Sequence, residues 1–109
     1  MSSDHRVIHG RLTNEPELKE VGSSSVTEFS VAINRKYKKK DGEEVEEVHF
    51  ANCSCWGKRG EVIANHFEKG QEIVCSGYMK TDTWEKDGEK KYKDKMIVDS
   101  FDFCGKKSE

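Results

Sequence analysis

The residues with the greatest chemical potential lie together in the segment 50–58, which alternates small side chains with rings and polar groups. In a β-strand, successive side chains point to opposite faces. One face then carries Ala51, Cys53 and Cys55, and the other carries Phe50, Asn52, Ser54 and Trp56. This reverses ordinary burial, in which large rings face inward. A face of exposed rings, amides and hydroxyls beside Lys58 is suited to stacking nucleobases next to a charged backbone.

The cysteines and histidines offer weaker chemistry. The cysteines stand at 53, 55, 75 and 104, and the histidines at 5, 9, 49 and 66. No Cys-x2–4-Cys zinc spacing occurs, and Cys53 and Cys55 are too close on one strand to pair with each other. We therefore expect reduced core cysteines, no metal and no cofactor.

Composition and charge bound the function without deciding it. The chain of 109 residues is predicted to form one domain, with 33% hydrophobic residues, 37% charged residues and a net charge of −2. Because this is a small apolar fraction, an oligomer interface is expected to complete the burial. The negative sum argues mildly against a nucleic-acid partner, but the distribution of charge matters more. Cations cluster at 35–40 and 86–95, whereas acids gather at 15–20 and 43–47.

The first residues contain no apolar stretch typical of a signal peptide, and no segment reaches transmembrane length. We therefore expect a cytoplasmic protein without a membrane partner.

Hydrophobic periodicity and turn residues predict five strands and one helix. The strands are placed at 5–12, 26–37, 43–56, 71–84 and 91–104, and the helix at 57–69 with Gly70 as its C-cap. The stretch 17–21 leads into 22–25, which has the composition of a hairpin loop. This order is that of a mainly β, five-stranded OB-fold barrel with one α-helix between strands 3 and 4.

Two Asp-Gly pairs, at 41–42 and 87–88, predict extended β-hairpins. The first hairpin would place the lysine run opposite the glutamate run, with weak stabilisation from each pair. Gly77 is expected to form a bulge or sharp bend. On the helix, Val62 with His66 and Ile63 with Phe67 are predicted to lie on one side.

Several segments in register resemble bacterial-type single-stranded DNA-binding proteins. The matching segments are 10–19 (GRLTNEPELK), 29–38 (FSVAINRKYK), 56–58 (WGK) and 66–70 (HFEKG), together with Gly77, Thr81, Trp84 and the Asp87-Gly88 turn. The resemblance covers about residues 6–103. It implies an OB-fold domain at 1–105 that coats single-stranded DNA in replication, recombination or repair and catalyses nothing. It also implies a homotetramer, with a dimer left open because Ala51 and the short lead before Val7 depart from the family near its subunit contacts.

The resemblance also implies which residues would touch DNA. The stacking positions are Tyr37, Phe50, Trp56 and Trp84, and the phosphate positions are Arg11, Arg35, Lys36, Lys58 and Lys80. Other roles stay open: Phe50 or Trp56 could be buried at a subunit contact, and Trp84 could clamp its own hairpin. Asp82 stands where the family tends to place a cation, so weaker or more salt-sensitive binding is expected.

The last residues, 106–109, carry neither the flexible linker nor the acidic tip common in the family. This indicates a tailless form, such as a trimmed chain or a phage or plasmid protein, without tail-mediated recruitment. Three rival functions remain. An enzyme would use His5, His9, His49 or Cys53 but lacks a third group to activate them. A tailless OB-fold primosome module would bind DNA weakly and a protein partner tightly, and an RNA-binding barrel would prefer RNA.

Overall fold

Six strands and one helix make up the part of the chain that the computed structural model describes, residues 5–103. They are β1 His5–Leu12, β2 Glu17–Val21, β3 Ser24–Lys38, β4 Glu44–Trp56, α1 Lys58–His66, β5 Glu72–Lys86 and β6 Glu89–Phe103.

The strands form one sheet that closes on itself. Their order is β1-β5-β6-β4-β3-β2, and β1 also pairs with β3 through Arg11 opposite Ala32 and Leu12 opposite Val31. All pairings are antiparallel except the one between β4 and β6. Five strands (β1, β3, β4, β5 and β6) therefore form the closed barrel, and the predicted OB fold is confirmed.

The sequence-based count of five strands is wrong by one short element. Residues 17–21, expected as a lead into a loop, form β2 on the edge of the sheet beside the start of β3. Every side chain of β2 is exposed, so the strand has no buried apolar face that a pattern could reveal. The turn that joins β2 to β3 contains Gly22, whose φ is 60°.

The helix is shorter than predicted and ends at His66 instead of residue 69. Its C-cap is Phe67, in extended conformation, and not Gly70. Phe67 is buried and makes an edge-to-face contact with Phe101, with ring centroids 5.7 Å apart. Ile63 is buried as well, but Val62 is exposed, so the two predicted pairs do not share the buried side.

The core follows the alternation predicted for β4. Ala51, Cys53 and Cys55 are buried with Val31, Ile73 and Met96, among others. Ser54 is an exception, because it was expected on the open face and is also buried. It is aligned with Glu28 on β3 and with Ile97 on β6, so a larger side chain flanks it on each side of the same face.

The cysteine prediction is confirmed for three of the four residues. Cys53, Cys55 and Cys75 are free thiols in the core, and Cys104 lies outside the described residues. Burial raises the pKa of Cys53 to about 12 and that of Cys55 to about 11. A thiol held neutral in this way is a poor nucleophile.

Both predicted hairpins extend beyond the barrel. The β3–β4 register runs without interruption from Val26 opposite Trp56 to Lys38 opposite Glu44. Asp87 and Gly88 both have positive φ, as a two-residue turn of this kind requires. Gly77 lies at a register shift, where an added Cβ would be only 1.8 Å from the carbonyl oxygen of Ile97. The expected bulge is therefore present, and glycine is needed there because the next strand lies so close.

The basic and acidic runs face each other as predicted. Lys36 Nζ is 3.7 Å from Glu46 Oε2, and Lys39 Nζ is 3.3 Å from Glu43 Oε1. Both pairs are exposed, so each contributes only tenths of a kcal/mol. Their main effect is to neutralise the ribbon locally.

One buried hydrogen bond joins the helix to the barrel. Thr27, buried on β3, donates through Oγ1 to the carbonyl oxygen of Gly60 at 2.6 Å. Replacing Thr27 with Val keeps the shape but removes this bond, so that the Gly60 carbonyl retains only its donor within the helix backbone. We expect Thr27→Val to lower the free energy of unfolding by about 0.5–1.5 kcal/mol, measured by urea denaturation.

Thr81→Val is the matched control, because Thr81 donates to Asp94 at 2.6 Å on the exposed surface. Water can replace that bond, so the change should be below about 0.5 kcal/mol. Equal losses in the two variants would contradict the role assigned to the buried bond.

Candidate nucleic-acid interface

The outer face of β4 carries the rings that the alternation left outside. Phe50 is 68% exposed and Trp56 is 44% exposed, with exposed Asn52 between them. The two rings are six residues apart on one face, which corresponds to about 20 Å along a strand. Their exposure follows from the burial of Ala51, Cys53 and Cys55 on the other face of the strand.

The barrel closure brings Arg11 into the same row as Phe50. Arg11 lies opposite Ala32, and Ala32 lies opposite Phe50, so β1, β3 and β4 place the three residues side by side on the outer face. The guanidinium of Arg11 is already engaged at the start of β5. It donates to Glu72 Oε1 and to the carbonyl oxygen of Gly70, each at 3.1 Å.

The β5–β6 hairpin continues this face. Ser54 on β4 is aligned with Ile97 on β6, and Ile97 lies opposite Tyr78 on β5. Alternate residues of a strand share one face, so the face of Tyr78 and Ile97 continues toward the hairpin tip. It carries Lys80, Asp82 and Trp84 from β5 and Lys91, Lys93 and Lys95 from β6. Trp84 is 45% exposed and lies directly opposite Lys91. This face therefore joins a ring to a row of cations.

An open groove of about 260 Å³ lies between these two parts of the outer face. Its polar lining consists of Asn14, Glu17, Lys19, Glu28, Ser30, Asn52, Ser54, Asp82, Lys93 and Lys95. Three lysines thus face three carboxylates. Lys95 Nζ is 2.9 Å from Asp82 Oδ2, and the hydrogen bond from Lys95 lowers the pKa of Asp82. Asp82, expected to weaken the path, is therefore paired and ionised.

Tyr37 lies on the opposite face of the β3–β4 ribbon from Phe50. The register pairs Tyr37 with Val45 and Arg35 with Glu47, whereas Lys36 lies with Glu46 on the Phe50 side. Glu47 Oε2 is 2.9 Å from His49 Nε2. A hydrogen bond to Glu47 also raises the pKa of Tyr37. The predicted residues of this ribbon therefore do not form a single platform.

Trp56 and Lys58 lie where β4 passes into α1. Gly57 between them has a φ of 73°, a conformation that favours glycine and turns the chain from strand to helix. Lys58 is exposed at the first position of α1. The ring of Trp56 and the charge of Lys58 therefore flank this turn, one at the end of β4 and the other at the start of α1.

Lys91, Lys93 and Lys95 stand on the outer face but were not among the predicted site residues. The sequence showed them only as part of a charge cluster, although their spacing of two already places them on one side of a strand. Tyr92 is 65% exposed on the other face of the same hairpin, opposite Thr83.

Within residues 5–103, no group of three or more His, Cys, Asp or Glu side chains is arranged to hold a metal ion. No helix in this part of the chain is both long enough and apolar enough to cross a membrane.

A closed OB-type barrel with exposed rings and cations on one face defines a class of nucleic-acid-binding proteins. The chain belongs to the single-strand binding protein family, whose sequence pattern matches residues 4–104. It is 39% identical over 100 residues to the single-stranded DNA-binding protein of Clostridium perfringens and 36% identical over 103 residues to that of Treponema pallidum. These matches cover 89% and 94% of the chain but only 63% and 58% of the relatives, so the chain spans about three fifths of their length.

Solved structures show the same fold. A deletion mutant of the single-stranded DNA binding protein from Thermus aquaticus superposes with a TM-score of 0.85 at 25% identity, covering 94% of this chain and 51% of that one. The Plasmodium falciparum SSB in complex with single-stranded DNA superposes with a TM-score of 0.88 at 19% identity, covering 96% and 97% of the two chains. The same fold is therefore found even where the sequence identity falls to 19%.

The two faces of the β3–β4 ribbon can be told apart by titration. Because the hydrogen bond to Glu47 raises the pKa of Tyr37, we expect Glu47→Gln to lower that pKa toward its ordinary value. The Tyr37 ring resonances, followed by NMR across the alkaline range, give the measurement. Glu46→Gln removes the same charge from the other face and should leave the titration of Tyr37 in place; a shift of the same size in both variants would contradict the assigned faces.

Proposed function

We propose that this chain binds single-stranded DNA without sequence preference, by stacking bases on the outer-face rings and pairing phosphates with neighbouring cations. The observation that carries the proposal is the exposure of Phe50, Trp56 and Trp84 on one continuous face with Lys80, Lys91 and Lys93. Membership of the single-strand binding protein family supports it, as do the names of the relatives and of the neighbour in complex with single-stranded DNA.

Stacking supplies affinity that does not depend on sequence, because every base has a π-face. Phe50, Trp56 and Trp84 are the proposed stacking rings of the outer face, and Tyr37 serves the far side of the β3–β4 ribbon. A strand that used all four rings would have to pass around the edge of that ribbon.

The proposed phosphate-binding cations differ in how closely an acidic side chain already neutralises them. Lys36, Lys58 and Lys80 are exposed, and within residues 5–103 none of them forms an ion pair as short as that of Arg11; Lys36 lies 3.7 Å from Glu46. Arg35 lies beside Tyr37 and opposite Glu47. Arg11 is oriented by Glu72 and Gly70, which take two of its five N–H donors, and Glu72 partly neutralises its charge. Each phosphate contact on a single strand steepens the salt dependence of log K by about 0.7.

The proposed role is to coat and protect single strands during replication, recombination or repair, in the cytoplasm at the replication fork or nucleoid, without catalysis. The division of the chain into a DNA-binding domain at 1–105 and a short end at 106–109 stays a prediction, since residues 104–109 lie outside the described part. The primosome-type interaction module remains the second candidate; it is favoured by the equal number of carboxylates and lysines in the groove, which would weaken strand binding.

We also propose that the working form is a homotetramer, with a dimer as the smaller alternative. In residues 5–103, β1 pairs with β5 along one edge, whereas its other edge meets β3 only at Arg11 and Leu12. Among the described residues, the stretch 5–8 therefore has no partner strand on that edge, and Val7 within it is 60% exposed. A second copy pairing along this edge would satisfy the backbone groups and cover Val7.

Tryptophan fluorescence tests the proposed binding, because Trp56 and Trp84 are the only tryptophans in the sequence. Titration with an oligothymidylate should quench the emission, and added salt should reverse the quenching. Phe50→Ala, Trp56→Ala and Trp84→Ala should each weaken binding by about 1–3 kcal/mol, roughly 5- to 150-fold.

Tyr92→Ala is the control for these variants, because it removes an exposed ring from the opposite face of the β5–β6 hairpin and should leave the affinity in place. Duplex DNA and RNA of equal length complete the comparison. Unchanged fluorescence with no binding to the oligothymidylate would overturn the proposed function, and tight binding to a helicase or loader instead would favour the primosome module.

Val7→Glu tests the proposed assembly. A carboxylate at this edge of β1 should be expelled from a covered interface, so the mass by light scattering should fall from that of a tetramer to that of a smaller species. Val62→Glu places the same charge on the exposed face of α1 and should leave the mass unchanged. A wild-type monomer would contradict the proposal, as would a Val7→Glu variant of unaltered mass.

A further inference from the structure

Asp82 lies at the centre of the lysine cluster on the outer face. It faces Lys93 directly across the β5–β6 hairpin and forms a diagonal ion pair with Lys95, with Oδ2 and Nζ 2.9 Å apart. Lys80 lies directly opposite Lys95. One carboxylate therefore partly neutralises three lysines that the hairpin register brings together.

The position of this cluster matters because it lies between two proposed stacking rings. Asn52 lines the groove and Phe50 lies two residues before it on the same face of β4, whereas Trp84 lies farther along the β5–β6 hairpin toward its tip. A strand that follows the outer face from Phe50 to Trp84 must therefore pass over Asp82, Lys93 and Lys95.

We propose that Asp82 is an internal counterion that competes with DNA phosphate for Lys95 and its neighbours, so that Lys93 and Lys95 bind phosphate and Asp82 limits the affinity. The inference rests on the proposed function. The pair is partly exposed, with 40% of the Asp82 side chain and 21% of the Lys95 side chain open to solvent. Water weakens an ion pair at such a site, so a phosphate can displace this carboxylate from Lys95. Once it is displaced, Asp82 stands unpaired beside the strand and repels it.

Lys19, the other groove lysine that is held in an ion pair, stabilises the sheet itself. Glu17 on β2 lies directly opposite Glu28 on β3, and like charges in that position are destabilising. Lys19 Nζ lies 2.7 Å from Glu28 and 3.4 Å from Glu17, so it relieves this repulsion.

The charges at Asp82 are arranged the opposite way. Here the lysines repel one another across the hairpin, at Lys80 opposite Lys95, and the carboxylate relieves the repulsion. A phosphate can take over that role because it carries the same sign of charge. DNA cannot replace Lys19 in the same way, because its phosphates are negative. If a phosphate drew Lys19 away, Glu17 and Glu28 would be left facing each other.

Asp82→Asn tests this inference against Asp94→Asn. Both variants remove one negative charge from the same hairpin, but Asp94 lies on the opposite face, where it accepts a hydrogen bond from Thr81. The affinity for an oligothymidylate is measured at several salt concentrations, and thermal melting confirms that each variant folds.

With Asp82→Asn we expect binding about three- to tenfold tighter at moderate salt and a salt slope steeper by about 0.7, because the carboxylate no longer offsets the charge of one lysine that faces the phosphates. Adding Lys95→Met to Asp82→Asn should return the slope to the wild-type value. Asp94→Asn should change neither quantity to this extent.

The outcomes separate this inference from the function on which it rests. A wild-type chain that does not bind would overturn both. A wild-type chain that binds, together with Asp82→Asn that is no tighter than wild type or no tighter than Asp94→Asn, would overturn the counterion role alone. A tighter variant whose slope does not depend on Lys95 would overturn the assignment of Lys95 as a phosphate ligand.

Discussion

The position of β4 in the barrel, with its register fixed by β3 on one side and β6 on the other, is the constraint on which the rest of the structure depends. β4 is paired with β3 along its whole length and meets β6 at Cys53 and Ser54. Because the barrel core needs Ala51, Cys53 and Cys55 inside, the same strand must present Phe50 and Trp56 outside. A slip of one residue would bury the rings and expose the thiols, so the fold and the candidate binding face are determined together.

The two long hairpins extend this constraint beyond the barrel. In the β3–β4 ribbon, matched lysine and glutamate side chains leave little net charge, and the ribbon contributes one ring to each of its faces. In the β5–β6 hairpin, one face gathers lysines around two carboxylates, with Asp82 paired with Lys95 and Glu89 paired with Lys91. The net charge of −2 is thus compatible with a cationic surface, because the acids are largely placed opposite other cations or on other faces.

Much of this could be predicted from the sequence, for reasons that are local. Alternation in β4, the Asp-Gly turns and the glycine at the β5 bulge each involve residues close in the chain, and the structure places them as expected. The edge strand β2 was missed because none of its side chains is buried. The burial of Ser54 and the face of Tyr37 depend on neighbours that only the assembled sheet supplies. The pairings of Arg11 with Glu72 and of Asp82 with Lys95 likewise require the register between distant strands.

Photocrosslinking to single-stranded DNA that contains 5-iododeoxyuridine tests the central claim most directly, since the modified base reacts with a ring on which it stacks. Mass spectrometry of the crosslinked peptides then identifies the residues in contact. If the outer face binds the strand, the crosslinks should fall on Phe50, Trp56 and Trp84. Crosslinks confined to Tyr92 or to the exposed face of α1 would contradict the account.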